Sequence, residues 1–220
     1  MRTIAVIALK GGSGKTTLAA HLALAGYLRG LKALVADIDP QRSASELLGA
    51  RRGAGPEYLS TTGPELFAAQ IAAVGSRMDV LVIDTAAGAI EDVGQAIVLA
   101  DLVLLVVRPT LLDLAAAVRT VDIARRLGKE AVAVVNQAPV AREGVEPPVV
   151  KRALRALEFM RLRVAPSILR SRTIYQTALE TGLSVEESLD ASAAKEIADL
   201  WAFLEPIAFG ERDEQPAARA

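Results

Sequence analysis

The sequence predicts an α/β fold: a doubly wound, mostly parallel sheet with helices on both faces. Two observations predict it. Several short β-branched runs are apolar along their whole length instead of alternating, which is how strands read when both faces are covered. Helix-length segments separate these runs at the spacing of βαβ units. A chain of 220 residues with a formal charge of −1 suits one domain, expected over residues 1–210. The polar stretch 211–220, "ERDEQPAARA", reads as a disordered tail.

Taken in order, the first strand is expected at Thr3–Leu9, where "TIAVIAL" runs straight into glycines. A helix follows over Thr16–Arg29 and stops near Gly30. Further strands are expected at Ala33–Asp37, Val80–Asp84, Leu102–Val107 and Ala131–Asn136. Arg51–Gly63 reads as a loop with room for one short strand, and Ala138–Pro148 as another loop. Helices are expected at Leu111–Leu127, halted by Gly128, at Val149–Met160 and at Ala191–Phe209. The most apolar later stretch, Ala96–Val107, is interrupted by Asp101 and falls short of the ~20 residues that a membrane span needs. The first apolar run has no cleavage-type site after it, so a soluble, cytoplasmic protein is expected. Cysteine is absent, which excludes disulfides, thiolate metal sites and cysteine-ligated iron–sulfur clusters.

The chemistry concentrates in Lys10–Thr17, "KGGSGKTT", a deviant form of the phosphate loop G-x-x-x-x-G-K-[ST], set between a strand and a helix. Gly11, Gly12 and Gly14 let the backbone of this loop, with Ser13 and Thr17, turn its N–H groups toward phosphates. The helix start adds its positive end. Lys15 is expected to reach the β- and γ-phosphates of a nucleotide, and the Thr16 hydroxyl to bind Mg²⁺. Asp84 ends the strand "DVLVID" and should emerge beside the loop at the carboxyl edge of the sheet. Asp37 and Asp39, in "ADIDPQ", supply two more carboxylates. So close together they repel each other unless a cation or water lies between, so one is expected to hold the water shell of magnesium and the other to orient an attacking water. Lys10, directly before the first glycine, has no obvious task within its own loop.

"KGGSGKTT", "DIDPQ" and the strand ending "VIDTAAG" together resemble the ParA/MinD family of deviant-Walker P-loop ATPases. "ADLVLLVVRPTLLDLAAA" and "RTIYQTALETGLSVEES" extend the similarity toward the small ParF-type plasmid partition members, over roughly residues 2–205. The sequence departs from the common pattern in carrying "DTAAG" where many members have "DTPPS". The resemblance implies ATP with Mg²⁺, and a homodimer in which Lys10 crosses the interface to phosphates held by the other subunit. An extra cation supplied in trans is chemically sensible, because phosphoryl transfer is accelerated by positioning and charge. It also implies non-specific duplex DNA binding with nucleoid association, and a ParB-like centromere-binding or adaptor protein that stimulates hydrolysis, docking at Leu111–Leu127 or the dimer edge. No N-K-x-D guanine signature is visible. Asn136 and Pro166 lie where similar ATPases contact the base, although Asn136 also reads as a cap for its own loop.

Near-neutral charge gives no global sign of a nucleic-acid partner, yet Lys151–Arg172 holds seven basic residues and a single acid, Glu158. Lys151, Arg152, Arg155, Arg170 and Arg172 are therefore expected to meet DNA phosphates; a solvated helix face is the plainer reading. His21 is expected to pack without chemistry. Alternatives to partition are a ParA-like ATPase for a protein cargo and a P-loop small-molecule ligase. A membrane switch is disfavoured because the tail lacks an amphipathic face.

Overall fold

The computed structural model describes residues 1–88 and 90–210; the expected tail lies outside the described residues. Seven parallel strands form one sheet: β1 (Arg2–Ile7), β2 (Ala33–Asp37), β3 (Glu57–Ser60), β4 (Val80–Asp84), β5 (Leu102–Val107), β6 (Glu130–Val135) and β7 (Arg163–Val164). Their order is β3-β2-β4-β1-β5-β6-β7. The connections are α1 (Lys15–Leu28), α2 (Ser43–Gly49), α3 (Leu66–Gly75), α4 (Ile90–Leu99), α5 (Leu111–Arg126) and α6 (Pro148–Phe159), and the chain closes with α7 (Ile174–Leu179) and α8 (Ala191–Phe209).

Strand periodicity divides the core. Ile4 and Val6 of β1 point, with Val35, Val82 and Leu104, into a layer formed by α1, α2, α7 and α8. Ala5 and Ile7 point the other way, toward α3, α4 and Ala124 of α5, and this layer continues through α5 and α6 over Leu105 and Val135. α1 is apolar nearly all round because the sheet covers one side and α8 the other. Gly26 lets them close: a Cβ there would stand 2.9 Å from the Trp201 ring, and Trp201 is fully buried.

The first strand ends at Ile7, because the backbone must already turn at Ala8–Lys10 to begin the glycine loop. The apolar run at 96–107 is not one element: α4 ends at Leu99 and β5 begins at Leu102. Asp101 sits between them and accepts the Thr3 amide at 2.8 Å. The fifth predicted strand is shifted one residue toward the amino end, since Asn136 has left the ladder for the functional loop. Four shorter helices (α2, α3, α4, α7) and the two-residue β7 were not evident from periodicity.

Candidate phosphate-binding site

Parallel pairing brings the conspicuous residues to the carboxyl edge of the sheet. Asp37 of β2 and Asp84 of β4 are register partners, and Val6 of β1 flanks Asp84 on the other side. Residues 8–14 then loop over this edge, and Gly14 enters α1 in the left-handed conformation with φ 85. No side chain caps the first turn of α1, in contrast to α5, where Thr110 accepts from Asp113 N. The leading N–H groups of α1 are thus left for an anion.

Three successive loop carbonyls are held from behind. Arg108 Nη2 donates to Gly11 O at 3.3 Å, Gln137 Nε2 to Gly12 O at 3.0 Å, and Asn136 Nδ2 to Ser13 O at 2.8 Å. Fixing these carbonyls leaves the loop N–H groups free to face the opposite side. Arg108 is itself oriented by Asp113, at 2.9 Å from Nε, and the Asp113 carboxylate accepts from Thr110 Oγ1 at 2.6 Å. Bonds to Arg108 and Thr110 outweigh burial and hold the Asp113 carboxyl below its usual range. Sequence reading missed Arg108 and Gln137. Their signals, "RPT" and "NQ" directly after two strands, acquire meaning only once the sheet places both turns behind the loop. Close packing explains Gly14 as well: a Cβ there would lie 2.5 Å from Asn136 Nδ2.

The aspartates differ in their surroundings. Asp37 is buried and engaged, accepting Asp39 N at 3.1 Å and Ser45 N at 2.9 Å. Asp39 is partly exposed and accepts Gln41 N at 2.9 Å. Asp84 is fully buried and neither carboxylate oxygen has a hydrogen-bond partner; Ser13 Oγ, also buried, has none. Burial drives the Asp84 carboxyl up to about 7, the negative charges of Asp37 and Asp39 adding to it and the Thr16 hydroxyl and Lys15 ammonium opposing it. Among the described residues no three His, Cys, Asp or Glu side chains form a metal cage. Mg²⁺ typically keeps several waters and binds through one or two carboxylates and substrate phosphates, so the unpartnered Asp84 beside Thr16 fits it without a cage. Lys15 is buried and Lys10 exposed.

Beside the loop opens a cavity of about 270 Å³, lined by Gly14, Thr17 and Leu18 on one side and by residues 169–173 on the other. Asn136 lines it too, with its amide directed to Ser13. Pro166 is exposed and does not line it; the wall comes from Leu169–Thr173 and Tyr175. That wall is tied to α8 by Glu196, which accepts Arg170 N at 2.8 Å, Arg172 Nη2 at 2.9 Å and Tyr175 Oη at 2.7 Å. Arg170 also pairs with Glu146, its Nη1 at 2.9 Å from Oε2. The basic segment is therefore split. Lys151, Arg152 and Arg155 stand exposed on α6, whereas Arg170 and Arg172 are engaged by acids at the cavity. His21 packs as expected: Nε2 meets Tyr175 O at 2.9 Å, Nδ1 accepts Val185 N at 3.4 Å, and burial lowers the ring to about 4.

Fold and loop together define a P-loop nucleotide-binding domain. Residues 4–185 match the family model for the CobQ/CobB/MinD/ParA nucleotide-binding domain, and the chain belongs to that family. The cell-division ATPase MinD of Pyrococcus furiosus superposes with a TM-score of 0.75 at 21% identity, over 94% of this chain and 99% of that one. A structure from Borrelia burgdorferi B31 named as a plasmid partition protein, bound to AMPPNP, superposes with a TM-score of 0.69 at 17% identity, over 93% and 98%. A curated relative in Rhizobium rhizogenes, named as a replication protein A, is 51% identical over 51 residues, which is 23% of this chain but only 13% of that protein. No helix among the described residues is long and apolar enough to cross a membrane.

Proposed function

We propose that the chain is a ParA-like ATPase of the small partition type, in which ATP drives face-to-face dimerisation and DNA binding, and partner-stimulated hydrolysis resets it. The observation that carries this reading is Lys10. It stands exposed ahead of a loop whose carbonyls are braced from behind. Leu111 and Leu112, 81% and 66% exposed, lie at the start of α5, whose preceding turn contacts that loop. An exposed cation and exposed leucines, both flanking the phosphate loop, suit a second subunit. The Lys10 and Lys15 ammonium groups of two copies repel one another until triphosphates lie between them, which ties the dimer to ATP.

In this reading Lys15, Thr16, Thr17 and the N–H groups of Gly11–Gly14 bind the phosphates, while Asn136 shapes the loop beside the base. Asp39, partly exposed and close to Asp37, orients the attacking water. Thr16 and Asp84, with Asp37 and Asp39 behind them, would hold Mg²⁺, which when bound offsets phosphate charge. Lys151, Arg152 and Arg155, exposed on α6, are the cations for duplex DNA. Arg170 and Arg172 would first have to leave Glu146 and Glu196. A dimer doubles the α6 patch, so DNA binding should be steep in both salt and nucleotide.

Lys10→Ala tests the reading. Nucleotide binding should persist while size-exclusion with a slowly hydrolysed ATP analogue shows only monomer and the ATP-dependent DNA shift is lost. An unchanged dimer removes Lys10 from the interface. Failure of the wild type to shift DNA at low salt with ATP removes the partition assignment while leaving the ATPase.

A further inference from the structure

The phosphate loop has a sealed end and an open end. Ser13 and Lys15 are buried, whereas Lys10, Gly11 and Gly12 are exposed. Packing does not fix the chain at the open end, and the two glycines that follow Lys10 leave its backbone the fewest restrictions of any residue pair. Gly12 uses that freedom, with φ 72. Among the described residues Arg108 is the only side chain that hydrogen-bonds Lys10 or Gly11, through Gly11 O. Its guanidinium also lies against Gly12, where a Cβ would stand 3.4 Å from Nη1.

Arg108 is held stiffly in its turn. Nε donates to Asp113 Oδ1 at 2.9 Å and Nη2 to Oδ2 at 3.2 Å, a two-pronged pairing that fixes the guanidinium plane. Nη2 keeps a second hydrogen for Gly11 O. Asp113 is buried and lies in the first turn of α5. Between the two residues, Pro109 has a fixed φ, and Thr110 N donates to Arg108 O at 2.7 Å. The open end of the loop is thus set from α5, and the sealed end from Asn136 after β6.

We propose that Arg108 is a positioning residue for Lys10. It fixes the open end of the loop so that the Lys10 ammonium is carried at a set place, while the sealed end binds phosphate without its help. Lysine would not substitute, because an ammonium lacks the planar fork that grips a carboxylate with two nitrogens and still offers a hydrogen to the loop. The part that Arg108 plays in hydrolysis rests on the ATPase reading above; its bracing of the loop does not.

Full-length Arg108→Lys, which keeps the charge, tests the proposal. In the nucleotide-free protein the NMR order parameters of the Gly11 and Gly12 amides should fall from ~0.85 to below ~0.6, with those of Gly14 and Lys15 unchanged. Affinity for a slowly hydrolysed ATP analogue, measured on dilute monomer, should stay within about threefold of wild type. Hydrolysis at saturating ATP should slow by about tenfold. Combined with Lys10→Ala, the change should slow hydrolysis no further than Lys10→Ala alone, because both act through one ammonium. The proposal is overturned if the Gly11 and Gly12 order parameters match wild type, if affinity falls as far as the rate, or if the losses of the two variants multiply. A wild type that hydrolyses no ATP removes the ATPase reading, and the order parameters then decide the brace by themselves.

Discussion

At the scale of single residues, the site depends on side chains that turn the phosphate loop inside out. Asn136 is the most closely packed of them, with its amide at 2.8 Å from Ser13 O. Asn136→Ala should therefore lower nucleotide affinity by about tenfold, the value of roughly one hydrogen bond with its buried partner stranded; titration calorimetry on the variant reads it directly, and an unchanged affinity would show that the loop holds its shape unaided. Lys15, Thr16 and the glycines were legible in the sequence because their relation is local, a few residues of one turn. Arg108 and Gln137 were not, because they lie 97 and 125 residues from the carbonyls they hold, and only strand order makes them neighbours. Pro166 stands outside the cavity lining, whose wall begins three residues later, where Leu169 N reaches Val135 O at 2.9 Å.

At the scale of elements, the long segments were readable where a cap and a stop coincide. α8 begins where the Asp190 side chain accepts from Ser192 and Ala193 and ends at Gly210, and both signals are visible in the sequence. α3 has neither a side-chain cap nor an acidic first turn, and its exposed face is apolar, so the usual amphipathic contrast is missing. β3 is exposed along its whole length, which removes the buried run that revealed the central strands. The segment joining β7 to α7, with Tyr175 in the first turn of α7, is tied to α8 by the Glu196 carboxylate through one amide, one guanidinium and one phenol. Glu196→Ala should loosen the cavity wall, with faster amide exchange over residues 170–175 and a stability loss of about 2 kcal/mol. Glu196→Gln, which keeps an acceptor, should recover part of both. If exchange there is unchanged, the wall is held by its own packing.

For the molecule as a whole, two buried groups give opposite pH dependences to the nucleotide-free form. Asp84, raised to about 7, binds its proton more tightly folded than unfolded. Its contribution is full below its unfolded value near 4 and is lost as pH rises through 7. His21, lowered to about 4, is neutral when folded, so its contribution is full above 6.5 and is lost as pH falls toward 4. Asp84→Asn should thus gain stability over the wild type only as pH rises from 4 to 8, reaching about 4 kcal/mol. His21→Gln should lack about 2 kcal/mol of the wild-type decline between pH 6.5 and 4. Urea denaturation at a series of pH values separates the two, and parallel curves for all three proteins would assign the pH response elsewhere.

The burial of α1 reaches further than packing. With Gly26 pressed against the Trp201 ring and every residue from Leu18 to Gly26 sealed from solvent, the helix that follows the glycine loop behaves as a stator. It has no slack in which to recoil. A rearrangement that started at the phosphate loop would have to pass outward through side chains that are less enclosed, such as Asp39 and Gln41 beyond the end of β2, while the packed helix at the centre kept the rest of the molecule in register.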